Sequence, residues 1–449
     1  MSSIMEHRDV AQPTSRSIGP IGLSPGIGPG NAFSLIVCAL IGVSVTVFIG
    51  FLQPYLLTTQ LHVSPAIQGR IVSSFSMMQE VVSLLLVPIF GHLSDRIGRR
   101  PIMASGLLVF TVGLCLFPLA GNIPELVAAR LTTAVGTAAF FATLATLAVD
   151  YTAEKSRGKF LSLLLVTQQL AILLIVAKVA GSLPRWLAGF GISPIAAGHY
   201  SFWMIAALAA IGSLVAVTGL SRDRRVFSVG EPAARSALKS LQYIAHYARR
   251  HPRFILVLAI AFVVRGDASI VGSFLSLWSV NAARHQGLDA TVGLQTGGML
   301  LGYATVSGLT GAAIAGWLSD RLNRLTVLML MLGVSACGHL ATSLVSDLQS
   351  LGAAVVVCLM GGGESGIIVV GQTLLGQEAP RDARGAAVGV FGFCGSIGVL
   401  SINLVGGILF DKVAFQSPFI LIGLINILIF IWALILRSGR HGVFVAQTA

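Results

Sequence analysis

The chain has 449 residues; 55% are apolar, only 10% are charged, and the formal net charge is +12. A soluble chain of this length would need roughly a quarter of its residues charged to coat two or three domains. Five cysteines are too few for a disulfide scaffold of this size, and the hydrophobicity excludes a disordered chain. What remains is an all-α, polytopic membrane protein: twelve spans of about 20 residues would use about 240 residues.

Residues 1–30 are rich in Ser, Pro and Gly and read as a disordered tail. The first apolar run, 31–57, is too long for a signal-peptide core and no small-residue cleavage pattern follows it. It is a span, with Gln53 and Tyr55 as polar groups near its end. Five more are expected in this half, at 66–94, 101–121, 124–150, 158–183 and 199–220. Glu80 falls near the middle of span 2, 15 residues before Asp95. Arg130 falls in the outer third of span 4. Span 5 holds Gln168 and Gln169, and Lys178 near its outer end, from where it can snorkel. Span 2 runs into Gly91-His-Leu-Ser-Asp95-Arg-Ile-Gly98-Arg99-Arg100. Small Gly91 lets a neighbouring helix approach. Asp95 and the arginines can pair at the membrane edge, and Gly98 supplies a tight turn.

The longest interruption, 221–252, is a basic linker that splits the spans six and six. Leu238, Leu241, Ile244, Ala245 and Ala248 recur at helical spacing among Lys and Arg. They fit a basic amphipathic helix on an anionic leaflet or a solvated helical linker. The second half holds spans at 253–280, 291–318, 325–346, 349–376, 384–410 and 416–436, followed by a tail at 441–449. Arg265 and Asp267 sit in the middle of span 7. Two residues apart, they point about 200° from each other on a regular helix. Span 9 holds His339, read as structural or interfacial. Gly361-Gly362-Gly363-Glu364 marks the middle of span 10, as an unwound segment beside a cavity or a close-packing notch. Asn403 adds a polar group to span 11.

With the N-terminus in the cytoplasm, 22 of the 29 Lys and Arg fall in cytoplasmic segments, four fall outside and three lie within spans. The positive-inside rule explains this charge, so no nucleic-acid partner is needed to account for it. Both termini are then cytoplasmic. An ionisable group at mid-bilayer costs about 2.5–3.5 kcal/mol on insertion scales and stays only if paired, neutralised or useful. Burial favours the neutral form of a carboxyl, so Glu80, Asp267 and Glu364 suit proton binding. Arg130 and Arg265 suit a carboxylate partner or an anionic substrate.

The segment at 91–100 returns 225 residues later as Gly316-Trp-Leu-Ser-Asp320-Arg-Leu-Asn323-Arg324. Ser156-Arg157-Gly158 is echoed by Ala383-Arg384-Gly385 at an offset of 227. Two echoes at nearly one offset imply an internal duplication. The first segment resembles the Gly-x-x-x-Asp-Arg-x-Gly-Arg-Arg loop of the major facilitator superfamily, over about residues 31–440. That resemblance implies two pseudo-symmetric six-helix bundles, 31–220 and 253–440, rocking about a midplane site. It also implies a cavity lined by spans 1, 4, 7 and 10. Gly91, Asp95, Arg99 and Asp150 would form a cytoplasmic gate. Asn323, in place of the second glycine, departs from the pattern. The run from Leu126 through Arg130 to Ala134, Gly136 and Ala139 resembles the superfamily's span 4 segment, associated with proton coupling, although Ala134 replaces the usual Gly.

The expected function is alternating-access transport of a small organic solute, anionic or zwitterionic, coupled to protons. Glu80, Arg130, Arg265, Asp267 and Glu364 would form the substrate and proton pathway. Gln53, Tyr55, Gln168 and Asn403 would be further lining groups. A multidrug/proton antiporter is the alternative, although span 5 lacks the Gly-x-x-x-Gly-Pro-x-x-Gly-Gly element of many such antiporters. A non-transporting receptor or assembly factor on the same fold is another. No cofactor, metal or P-loop is indicated, the five cysteines lie in spans, and an enzyme is not expected. The absence of any Asn-x-Ser/Thr acceptor favours a bacterial inner membrane, where lipids, protons and a small solute would be the partners of a monomer.

Overall fold

The computed structural model describes residues 17–222 and 234–438, with side chains omitted at 234–241 and at 381. Twelve helices long and apolar enough to cross a membrane account for most of it: Pro29–Thr59, Pro65–Ile97, Arg99–Leu119, Ile123–Asp150, Glu154–Ala188, Pro194–Gly219, Pro252–His285, Ala290–Ser319, Arg324–Leu344, Leu351–Glu378, Arg384–Lys412 and Ser417–Ser438. They are spans 1 to 12. Each expected run became one helix, most of them longer than the apolar stretch alone.

Local chemistry sets the helix ends. Asn122 caps span 4 by accepting from the Glu125 amide at 3.0 Å, and Glu125 in turn accepts from the Gly121 amide at 2.7 Å. Asp289 and Ser350 cap spans 8 and 10 in the same way. The duplicated loop is solved twice. Gly98, between spans 2 and 3, has φ +112°, which favours glycine. Its counterpart Asn323 instead caps span 9, accepting from the Leu325 amide at 2.9 Å. The loss of the second glycine thus follows from a different helix start.

Spans 1–6 and spans 7–12 pack as two bundles. Small residues allow the closest approaches: Gly106 and Gly136 bring spans 3 and 4 together, and Gly338 and Gly363 seat spans 9 and 10 directly on each other. Gly361, Gly362 and Gly363 do not unwind span 10, which is helical from Leu351 to Glu378. They are a notch against Ala304 and Ser307 of span 8 and Ser335 of span 9. Span 5 departs from a plain helix, with a π-helical stretch at Ile172–Ala180.

The tail expectation fails from Ser17 onward; residues 1–16 and 439–449 lie outside the described residues. A two-residue-stranded hairpin, β1 (Ser17–Ile18) and β2 (Ile21–Gly22), is pinned to the turn between spans 4 and 5. The Gly22 amide donates to Ser156 Oγ, the Ala153 amide to the Gly22 carbonyl, and the Ser24 amide to the Tyr151 carbonyl, each at about 3.0–3.1 Å. Ile21, Leu23 and Ile27 are buried there. In the linker, Ala234–Arg250 is helical. Ile244 is buried and Tyr247 donates to the Glu378 carbonyl at the end of span 10, at 3.1 Å. Ile244 and Tyr247 therefore rest on the second bundle, while Ala245 is exposed; Leu238 and Leu241 fall among the omitted side chains.

Candidate functional site

The two faces of the molecule are in different states. We call the face carrying the Arg96–Arg100 turn the basic face. At the opposite, far face the bundles are zipped together. Asp411 of span 11 accepts from the Gly69 and Arg70 amides of span 2 at 2.7 and 3.0 Å, and pairs with the Arg70 guanidinium at 3.0 Å. Gln68 accepts from Asn281 of span 7 at 2.9 Å, and Arg185 donates to Gln295. Ser276 of span 7 donates to the Phe51 carbonyl of span 1 at 2.5 Å. A Cβ on Gly69 would fall 2.8 Å from the Gly407 carbonyl, and one on Gly181 3.0 Å from Gly298 Cα. Toward the basic face this intimacy ends. Gly91, Gly316, Gly385, Gly389 and Gly392 have nothing within 4 Å of an added Cβ.

Where the zip stops, a cavity of about 440 Å³ opens at mid-depth, lined by spans 1, 2, 4, 5, 7, 8, 10 and 11. Glu80, Arg130, Arg265 and Glu364 all border it, with Thr46, Gln79, Gln169, Ser269, Ser273 and Thr305 among the polar neighbours. Four ionisable groups spread over 284 residues of sequence thus meet in one space. Glu80 and Arg265 bridge the bundles. Arg265 Nη2 lies 3.0 Å from Glu80 Oε1, and Ser396 of span 11 donates to the same carboxylate. The pair therefore neutralises itself. Arg130 is 4% exposed, and its Nε and Nη1 have no hydrogen-bond partner among the described residues. Glu364 likewise has no hydrogen bond or ion pair among them.

Asp267 does not line the cavity, contrary to expectation. Span 7 stays helical through Gly266, so Asp267 points to the far flank from Arg265, 2% exposed, and meets His339 Nε2 at 3.0 Å. His339 Nδ1 lies 2.8 Å from the Ser335 carbonyl. Nε2 faces the carboxylate, and Nδ1 also faces the Ser335 hydroxyl at 3.2 Å. Ser335 Oγ completes a Ser–His–Asp set that Asn426 of span 12 closes at 3.1 Å. Ser335 and His339 are fully buried, so no substrate reaches them. The partnership was invisible in sequence because Asp267 and His339 lie 72 residues apart on helices whose facing sides only packing decides.

The remaining expected lining groups fall beside the cavity rather than on it. Gln53 is buried without a partner for Oε1, and Tyr55 donates to the Pro194 carbonyl at 2.8 Å, within the first bundle. Gln168 is off the lining while Gln169 is on it. Asn403 donates to the lining residue Ser269 at 2.9 Å. Lys178 is exposed, away from the cavity. At the basic face, Arg99 pairs with Asp150 of span 4, donates to the Thr146 carbonyl at 3.1 Å and lies 3.5 Å from Asp95. These contacts tie spans 2, 3 and 4 together. Gly91 is open.

Comparison with known proteins agrees with this architecture. The profile of the Major Facilitator Superfamily matches residues 34–400 and 296–448. Magnetosome protein MamH of Paramagnetospirillum magneticum (strain ATCC 700264 / AMB-1) is 26% identical over 405 residues, 87% of this chain and 89% of that protein. Magnetosome protein MamZ of the same strain is 25% identical over 404 residues, 85% of this chain but 59% of MamZ. The crystal structure of the nucleoside transporter NupG superposes with a TM-score of 0.70 at 12% identity, over 91% of this chain and 99% of NupG. A bacterial homolog of the human lysosomal transporter Spinster, solved in an inward-facing and unoccupied conformation, superposes with a TM-score of 0.57 at 14% identity, over 91% and 96%.

Proposed function

The chain belongs to the major facilitator superfamily, and we propose that this secondary transporter moves a small anionic or zwitterionic organic solute by alternating access, coupled to protons. One observation carries the reading: Glu80, Arg130, Arg265 and Glu364 gather around one mid-depth cavity whose far face is sealed by contacts between the bundles. Charges are kept in a low-dielectric slab only where they pair or work, and two of these four have no ion-pair partner among the described residues. The Lys and Arg bias supports the basic face as the cytoplasmic one, with a bacterial inner membrane as the location and both termini inside. The structure then corresponds to the state open to the cytoplasm. The cavity wall carries no aromatic ring, so the likeness to a nucleoside transporter bears on the fold alone.

The test is solute-driven pH change in proteoliposomes of the purified full chain, over a panel of anionic, zwitterionic, neutral and cationic solutes. Some solute should move, and its entry should shift internal pH. Flux without any proton movement would remove the coupling; a protein that moves nothing, with or without a pH gradient, would remove transport itself.

A further inference from the structure

The charges lining the cavity can be counted, and the count constrains what crosses. Glu80 and Arg265 cancel each other through their 3.0 Å ion pair. Among the described residues Arg130 has no counter-ion and contributes one positive charge, and Glu364 has no cation and contributes one negative charge. Among the lining residues no other side chain is ionisable, so the empty cavity sums to zero. The groups behind Glu364 do not change this. Asp267 of span 7 lies behind the wall rather than on it and is paired there with His339 of span 9. Span 8 contributes only Leu301, Ala304 and Thr305 to the lining.

When the bundles rock, the cavity closes away from water on one side, and net charge enclosed there is costly. The empty, neutral cavity can make that passage. A bound monoanion alone makes it negative, and a proton alone makes it positive. A monoanion together with one proton restores zero. Arg130 is the group that lacks an acceptor, and arginine takes a carboxylate through two parallel N–H···O bonds. Glu364 is the group left to take the proton. Hydroxyls of Thr46, Ser76, Ser269, Ser273, Thr305 and Ser365 border the space, with no aromatic face for stacking. Resting on the transport reading above, we propose that the cavity binds a compact, hydroxyl-rich monocarboxylate on Arg130. The anion crosses with one proton held on Glu364, in a cycle that moves no net charge.

Proteoliposomes of the full chain test this with radiolabelled glycerate and L-lactate as probes, against glycerol, choline, benzoate and inorganic phosphate. Uptake of a hydroxy-monocarboxylate should follow an imposed pH gradient at one proton per solute and ignore a potassium–valinomycin potential. Arg130→Gln should raise KM by about tenfold or more, with Arg130→Lys in between. Glu364→Gln makes the empty cavity positive and the anion-loaded one neutral, so it should retain solute exchange across the membrane and lose net uptake driven by pH. Voltage-driven uptake, net pH-driven uptake by Glu364→Gln, or an unchanged KM in Arg130→Gln would each overturn the proposal. Transport of choline, glycerol, benzoate or phosphate in preference to the hydroxy-acids would overturn it and leave the transporter reading standing. No flux of any solute would bring down that reading first.

Discussion

Glu80 and Arg265 come from opposite bundles, so their bond at 3.0 Å is one that rocking of the bundles would strain. The Arg265 side chain is 47% exposed, to the cavity, and the Glu80 side chain 12%, so cavity water weakens the attraction below that of a dry pair. A double-mutant cycle measures it. Glu80→Gln and Arg265→Gln should each lower thermal stability in detergent, and the double variant should lose less than the two singles together, with a coupling of about 0.5–3 kcal/mol. Strict additivity would mean that the pair holds nothing. That Glu80, Arg130, Arg265 and Glu364 lie within spanning helices was legible in sequence, because charge in an apolar run is conspicuous. The fate of Asp267 was half legible: its angle from Arg265 followed from helix geometry, its partner His339 did not. Gln168 and Gln169 illustrate the same limit. They are adjacent and alike, and only packing put Gln169 on the wall.

Among elements, the N-terminal hairpin is the one composition concealed. Its Ser, Pro and Gly content suits a flexible tail, but its few apolar residues, Ile21, Leu23 and Ile27, reach a ready-made groove at the span 4–5 turn. Two backbone hydrogen bonds and one from the Gly22 amide to the Ser156 hydroxyl secure it there, each worth about 0.5–1.5 kcal/mol net. Deleting residues 2–22 should therefore lower the melting temperature measurably while leaving membrane insertion intact; an unchanged melt would show that the hairpin clamps nothing. The turn after span 2 acts differently. Arg99 draws Asp95 and Asp150 to one point, so it couples spans 2, 3 and 4 into a unit that can move together. Asp95→Asn should slow transport by about tenfold, about 1.4 kcal/mol in barrier, without loss of inserted protein. Unchanged turnover would remove the gate role.

For the whole molecule, the asymmetry between a zipped far face and a splayed basic face is the central fact. If rocking carries transport, locking the zip must stop it. Asp411 accepts from the Gly69 and Arg70 amides, so Arg70→Cys with Asp411→Cys places two thiols on facing helices at the zip. Oxidation should abolish flux and reduction restore it; full flux in the cross-linked protein would refute rocking. The twelve spans and their duplication could be read from one dimension, because hydrophobic length and repeated spacing are properties of the chain itself. Which charges neutralise each other could not. Glu80 finds Arg265 across 185 residues and Arg130 finds no counter-charge among the described residues, outcomes set by how small residues let helices approach and which flank each then presents. The chain alone determined that charge would be held in the membrane, because apolar runs leave nowhere else for it. The tertiary structure decided which of that charge is spent on packing and which is left open to a ligand, because only contact across bundles can cancel it.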